Sequence, residues 1–282
     1  MFESNKDTFT EIASFVRTKF PSVPLIGGGV QATYDYEELI EVLGFDGVIR
    51  REGENQFKIF LQNALKIDNA RIPEGMAFSH EGKVGELDPS SEEVPVGTDI
   101  TPVYPLIPIE DYYRYGSLAA FSRFNGDEKP FATLLGIRGC RAFCTFCTVR
   151  DFNGKGLRDR DVESIIDELR FLHYEKGIMQ IDWLDDDLLW NRDRALLLFK
   201  RMTEELPNLE WICNNGLIAA VIDEELMEWM VHSGMKAFKV GIESGNNAML
   251  KRIKKPTSKR KLMAVSPIFK KYPEVLCSGN YI

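Results

Sequence analysis

The 282-residue chain reads as an α/β protein: an incomplete parallel (β/α) barrel over residues 131–282, preceded by half of a doubly wound sheet over residues 1–66. Three observations predict this. Short apolar runs alternate with amphipathic helical stripes in both parts. A proline-rich stretch, 67–130, interrupts the alternation and reads as an extended linker. Polar clusters recur after successive strands of the second part, at the barrel end where active sites are built.

The elements follow in order. A helix is expected over Thr8–Lys19, then an apolar strand Val23–Ile26 that runs into Gly27-Gly28-Gly29. A helix Tyr36–Leu43, a strand Gly47–Ile49 and a helix Glu54–Leu65 complete the amino-terminal part. Within the linker, Glu81-Gly82 marks a hairpin and Ile109–Tyr115 a short helix. Phe131–Ile137 is the first barrel strand. Val162, Ile165, Ile166, Leu169 and Leu172 form one helical stripe, and Met179–Leu184 is the second strand. A helix Arg194–Leu206 stops at Pro207 and is followed by the strand Glu210–Cys213. Asp223 caps a helix that ends at Gly234, and Ala237–Val240 is the fourth strand. Val275–Ile282 begins a fifth. Cys213 and Cys277 are expected in the core.

A hydrophobic fraction of 44% supports a core, and a charged fraction of 28% keeps the surface wet. The formal charge of −8 argues against coating nucleic acid, which needs a basic surface. No apolar run reaches the length of a membrane span, and the start lacks the apolar core of a secretory signal. A cytoplasmic location is expected.

Three of the five cysteines fall in GIRGCRAFCTFCTVR, giving Cys140-x3-Cys144-x2-Cys147. Clustered thiols in such a chain point to metal rather than to a disulfide framework. Three thiolates at this spacing can wrap a loop around one small cluster. Iron–sulfur cubes are normally held by four cysteines, so three leave one iron open to a further ligand. A structural zinc ion would want four ligands, and no His or Cys lies just downstream.

Polar residues stand after each later strand as well. Asp185-Asp186-Asp187 follows the second, Asn214 and Asn215 the third, and Glu243 and Ser244 the fourth. Beyond them Lys251, Arg252, Lys254, Lys255, Lys259, Arg260 and Lys261 form a basic run, read as a solvated helix surface. His80, His173 and His232 show no partner pattern.

Cys-x3-Cys-x-aromatic-Cys after the first barrel strand resembles the signature of radical S-adenosylmethionine enzymes. The resemblance implies that Cys140, Cys144 and Cys147 hold a 4Fe–4S cluster and that S-adenosylmethionine chelates the open iron. It implies reductive cleavage of that cofactor to a 5′-deoxyadenosyl radical. Phe146 resembles the family's adenine contact. Asp185 and Asp186 align with an acidic pair that relatives often carry, suited to the cofactor's ammonium group. Glu243 and Ser244 resemble the Gly-Ile-Glu-Ser motif of the cobalamin-linked branch and are expected at the cofactor's ribose or amino-acid end. Many relatives carry an arginine near Asn214 and Asn215, and this chain does not.

Gly28-Gly29-Val30-Gln31-Ala32-Thr33 and Gly47–Glu54 resemble the later part of a Rossmann-like cobalamin-binding domain, in which Gly28 and Gly29 would let the corrin approach the backbone. Cobalamin is thus a further cofactor the resemblance admits, with methyl transfer or rearrangement on an unknown substrate as the outcome. The domain's Asp-x-His-x-x-Gly loop is missing, so the chain alone is expected to hold corrin poorly. Both ends look cut, which suggests a fragment or a partner chain that supplies the missing halves. The reductant is expected to be a flavodoxin or a ferredoxin. Two other readings stand beside the enzyme: an iron–sulfur electron-transfer protein, and a non-catalytic fragment.

Overall fold

A computed structural model of the chain describes residues 6–65, 74–80, 83–86, 101–115 and 129–282. The chain divides into two compact units, one of residues 1–94 with 151–154, the other of 95–150 with 155–282.

In the first unit the elements run α1 (Lys6–Lys19), β1 (Ile26–Gly27), α2 (Val30–Tyr34), α3 (Tyr36–Glu41), β2 (Gly47–Ile49), α4 (Glu54–Ala64), β3 (Met76–His80) and β4 (Lys83–Glu86). They form a four-stranded sheet in the order β1-β2-β3-β4. β1 and β2 are parallel, as the strand–helix alternation predicts, and the hairpin β3–β4 adds antiparallel to β2. Ala32, Leu39, Val48 and Ala77 pack in its core. β1 is shorter than the expected Val23–Ile26. Pro24 has no amide to donate, and the Leu25 amide is taken by the Asp46 carboxylate at 2.6 Å instead of a strand neighbour.

Within the stretch expected as linker, 67–130, the described residues carry regular elements. Its hairpin pairs Ala77 with Val48 and so belongs to the first sheet; the turn residues Glu81 and Gly82 lie outside the described residues. Its later part packs into the second unit. A 3₁₀ turn (Thr101–Leu106) and α5 (Ile109–Tyr115) bury Tyr104 and Ile109 in that core. The Tyr104 hydroxyl donates to Glu168 at 2.5 Å. Burial first, and then that carboxylate, raise the phenol above its ordinary range.

The chain continues with β5 (Phe131–Leu134), β6 (Ile137–Arg138), α6 (Val149–Phe152), β7 (Arg158–Asp159), α7 (Val162–Arg170), β8 (Gln180–Trp183) and α8 (Arg192–Glu205). Then come β9 (Glu210–Leu217), α9 (Glu224–His232), β10 (Met235–Glu243), α10 (Asn247–Arg252), α11 (Lys259–Phe269) and β11 (Leu276–Tyr281). β5, β8, β9, β10 and β11 form one sheet in that order, each pair parallel. Spatial order equals chain order because each helical crossover returns the chain to the same side, the progression that builds a (β/α) barrel.

Local chemistry explains the helix starts. The side chains of Asp161, Asn191 and Asp223 cap α7, α8 and α9 by accepting the amides of Glu163, Arg194 and Leu226. Each such cap contributes about 1 kcal/mol. The helices cover a core in which Phe199 stacks on Trp211 at 5.2 Å. Cys213 is buried there as expected, whereas Cys277 is exposed, because β11 is the outer strand of the sheet. The expected single strand Phe131–Ile137 breaks in two. Gly136 turns its amide to the Asp185 carboxylate, and beyond it β6 pairs antiparallel with β7.

Candidate active site at the cysteine loop

The carboxyl ends of β8, β9, β10 and β11 and the loop after β6 surround a cavity of about 330 Å³ within the second unit. Cys140, Cys144 and Cys147 line it together with Phe146, a residue 46% exposed. Asp186, Asn215, Gly241, Glu243 and Lys255 line the rest. The loop is shaped by its backbone. Gly139 holds φ +88°, and a Cβ there would collide with the Gly156 carbonyl, so glycine precedes the first cysteine by necessity. The Ala142 amide donates to Cys140 Sγ at 3.4 Å, and the Thr145 amide donates to the Ile253 carbonyl at 3.0 Å. The Arg150 guanidinium covers the Phe143 ring at 3.9 Å. Burial raises the Cys140 thiol to about 11, and burial likewise raises Cys144. Among the described residues, no three His, Cys, Asp or Glu side chains cage a single metal ion. A cube is a different target: its thiolates sit on separate irons and stand further apart than the ligands of one ion.

The acidic run after β8 divides. Asp186 borders the cavity and accepts the Gly139 amide at 3.0 Å. Asp185 does not reach it. This side chain is wholly buried and accepts the Gly136 amide at 2.9 Å, so the expected contact with a cofactor ammonium is corrected to a structural one. Burial lifts its pKa to about 7, against the pull of the Gly136 amide and of Arg194. Asp187 is also buried and grips Arg141 at two points, 2.6 and 2.8 Å.

β9 runs further than Glu210–Cys213, so Asn214 and Asn215 stand inside the strand rather than after it. Asn214 satisfies the buried Asp182 through its backbone amide at 3.1 Å and its side-chain amide at 2.8 Å. Desolvation raises the Asp182 pKa nonetheless. The register between β9 and β10 shifts here, and the bulge brings Asn215 to the cavity.

Glu243 carries three marks of a built site. It is 8% exposed, its φ is +59°, and the β10–β11 register shifts beside it. A non-glycine residue in that region costs about 1–3 kcal/mol, strain that gathers at functional positions. Its Oε1 meets Lys255 Nζ at 2.7 Å, and both side chains are largely buried. Ser244 does not line the cavity; its hydroxyl accepts the Asn246 amide at 3.2 Å in the turn that starts α10. Lys255 is the residue that the sequence reading missed, having placed it on a solvated surface. Lys254, at φ +54°, ends α10 and turns the chain back, which swings Lys255 inward; only Pro256 in the sequence hints at that reversal.

In the first unit, a Cβ at Gly28 would meet nothing nearer than the Ile49 carbonyl at 3.8 Å, and Gly29 holds φ +94° ahead of α2. Both are spared side chains at the carboxyl end of β1.

This chain belongs to the radical SAM superfamily, whose family model matches residues 134–281. It is 29% identical over 255 residues to an uncharacterised methyltransferase of Pyrococcus horikoshii, covering 88% of this chain and 51% of that protein. It is 28% identical over 276 residues to the cytidylyl-2-hydroxyethylphosphonate methyltransferase of Streptomyces wedmorensis, covering 91% of this chain and 51% of that protein. The chain thus spans about half the length of the curated relatives it matches. Its fold matches that of the radical S-adenosylmethionine methyltransferase TsrM from Kitasatospora setae, solved with cobalamin and a [4Fe-4S] cluster bound. The TM-score is 0.71 at 16% identity, over 96% of this chain and 51% of that one. Among the described residues no helix is long and apolar enough to cross a membrane.

Proposed function

We propose that the second unit binds a 4Fe–4S cluster through Cys140, Cys144 and Cys147 and S-adenosylmethionine in the adjoining cavity, as the catalytic core of a radical enzyme. One observation carries the reading. Three thiols share a cavity with Phe146, Asp186, Glu243 and Lys255 at the carboxyl ends of parallel strands. The donor set fits the group: three cysteines match three corners of a cube and leave the fourth iron for a ligand that is not protein. The cavity fits the cofactor's ends. Its amino-acid end is a zwitterion, and Asp186 and Glu243 offer the anions while Lys255 offers the cation that the absent arginine would supply. Phe146, half-exposed and bordering the cavity, offers an aromatic surface for a planar base.

When bound and reduced, the cluster supplies the electron that breaks the cofactor's sulfonium carbon–sulfur bond. The chain's own residues orient the cofactor and exclude water from it. An electron-transfer protein would want a fourth protein ligand, and no fourth cysteine lines the cavity.

Cobalamin is the proposed partner of the first unit, approaching over Gly28 and Gly29, with methyl transfer the proposed outcome on the strength of the relatives' names. The test of the central reading is anaerobic reconstitution with iron and sulfide. Wild-type chain should gain four irons and a broad visible absorbance, and Cys144→Ala should gain neither. Iron retained by Cys144→Ala at the wild-type level contradicts the ligand assignment.

A further inference from the structure

The acidic run serves the cysteine loop along its whole length, and only Asp186 also borders the cavity. Asp185, Asp186 and Asp187 are consecutive, yet they take three successive stations along that loop: the amides of Gly136, Gly139 and Arg141 at 2.9, 3.0 and 3.3 Å. The third station is the strongest. Asp187 Oδ2 and Oδ1 also receive Arg141 Nε at 2.6 Å and Nη2 at 2.8 Å, a forked, charge-assisted pair. The Asp187 side chain is 1% exposed and that of Arg141 31% exposed. Cys140 Sγ lies 3.9 Å from Asp187 Oδ2 and receives the Ala142 amide at 3.4 Å. A carboxylate this near a thiolate would repel it, and Arg141 offsets that charge where it stands.

We propose that Asp187 is a positioning residue for the iron–sulfur cluster. It holds Arg141 and the Arg141 amide, fixes the loop between Gly139 and Ala142, and keeps Cys140 Sγ aimed into the cavity. Asp187 does not border the cavity, and its contacts are to the loop. The proposal rests on the reading of Cys140 as a cluster ligand, and its test separates the two.

The variants are Asp187→Ala, Asp187→Asn and Arg141→Gln, each checked by circular dichroism for wild-type fold. In reconstituted chain, Asp187→Ala should release iron to a chelator about 10–100-fold faster than wild type, the usual loss when a ligand's supporting partner is removed. The paramagnetic signal of its reduced cluster should broaden. Asp187→Asn keeps an acceptor and loses the charge, so it should fall between the two. Arg141→Gln leaves the Asp187 carboxylate on the loop amide and should also release iron faster, which keeps the test open if Asp187→Ala does not fold. In the metal-free chain, alkylation of Cys140 by iodoacetamide, read by mass spectrometry, should rise in Asp187→Ala. This arm reads the loop itself and stands even where wild type takes up no cluster, an outcome that would overturn the proposed function and not the positioning role. Wild-type iron release together with wild-type alkylation in the variants overturns the positioning role. So does a variant that keeps its cluster intact and loses only the response to S-adenosylmethionine, because that would make Asp187 a cofactor contact.

Discussion

Asp185, Asp186 and Asp187 stand at the end of one strand, and Lys251, Arg252, Lys254 and Lys255 stand beyond the end of another. Each run is crowded with one sign of charge, and each turns a single member to the cavity: Asp186 from the first, Lys255 from the second. Their remainders behave oppositely. Asp185 and Asp187 are buried, while Lys251, Arg252 and Lys254 are exposed. The difference lies in what each run packs against. The cysteine loop has amides that no strand partner takes, and buried amides demand acceptors. The turn after α10 has no such demand, so its cations stay in water except where Glu243 draws one in.

The largest expected effect falls on the buried member of the acidic run. Burial pushes the folded pKa of Asp185 to about 7 from an ordinary 3.8, against the lowering by the Gly136 amide, Arg194 and Arg160. The folded state therefore binds the extra proton between about pH 4 and about pH 7. Stability from this group is fully present below that window and is lost as pH rises through it, by on the order of 4 kcal/mol. Asp185→Asn should remove this component. Denaturant midpoints of the two chains should diverge in the variant's favour as pH rises across the window; a constant difference would contradict the buried-acid assignment.

The cavity-facing member of the basic run comes next. Lys255→Met removes a charge-assisted partner worth about 2 kcal/mol, so affinity for S-adenosylmethionine should fall by roughly 30-fold with the cluster retained. Lys255→Arg should recover part of it. An unchanged affinity by calorimetry would return Lys255 to the role of a mere partner for Glu243.

A smaller effect is expected at Gly241. A Cβ there would sit on Lys255 Nζ and Glu243 Oε1, both ends of flexible side chains. Gly241→Ala should displace the pair at about 1 kcal/mol, weakening the cofactor a fewfold and leaving the fold intact. A loss as large as that of Lys255→Met would show that the pair cannot re-form once moved.

What the sequence made legible follows from locality. The cap Asp223 of α9 and most of the apolar strands are local patterns and recur in the structure, and the three spaced cysteines stand together on one cavity. What failed was tertiary. Whether Asp185 faces a cofactor or a backbone amide depends on Gly136, far along the chain, and nothing in IDWLDDDLLW says so. Asn214 was legible as polar, while its duty to Asp182 required knowing that β9 continues through a bulge. Lys255 was hidden inside a run whose other members are solvated. In the stretch 67–130 prolines signal irregular backbone, and irregular backbone can still bury Tyr104 and lend a hairpin to a sheet.

The most direct test of the account is the paramagnetic spectrum of the anaerobically reconstituted, reduced second-unit cluster before and after addition of S-adenosylmethionine. The cofactor should change the signal through the open iron beside Cys140, Cys144 and Cys147, and 5′-deoxyadenosine should accumulate on further reduction. A fully loaded cluster whose signal does not respond to the cofactor, with no 5′-deoxyadenosine formed, would contradict it.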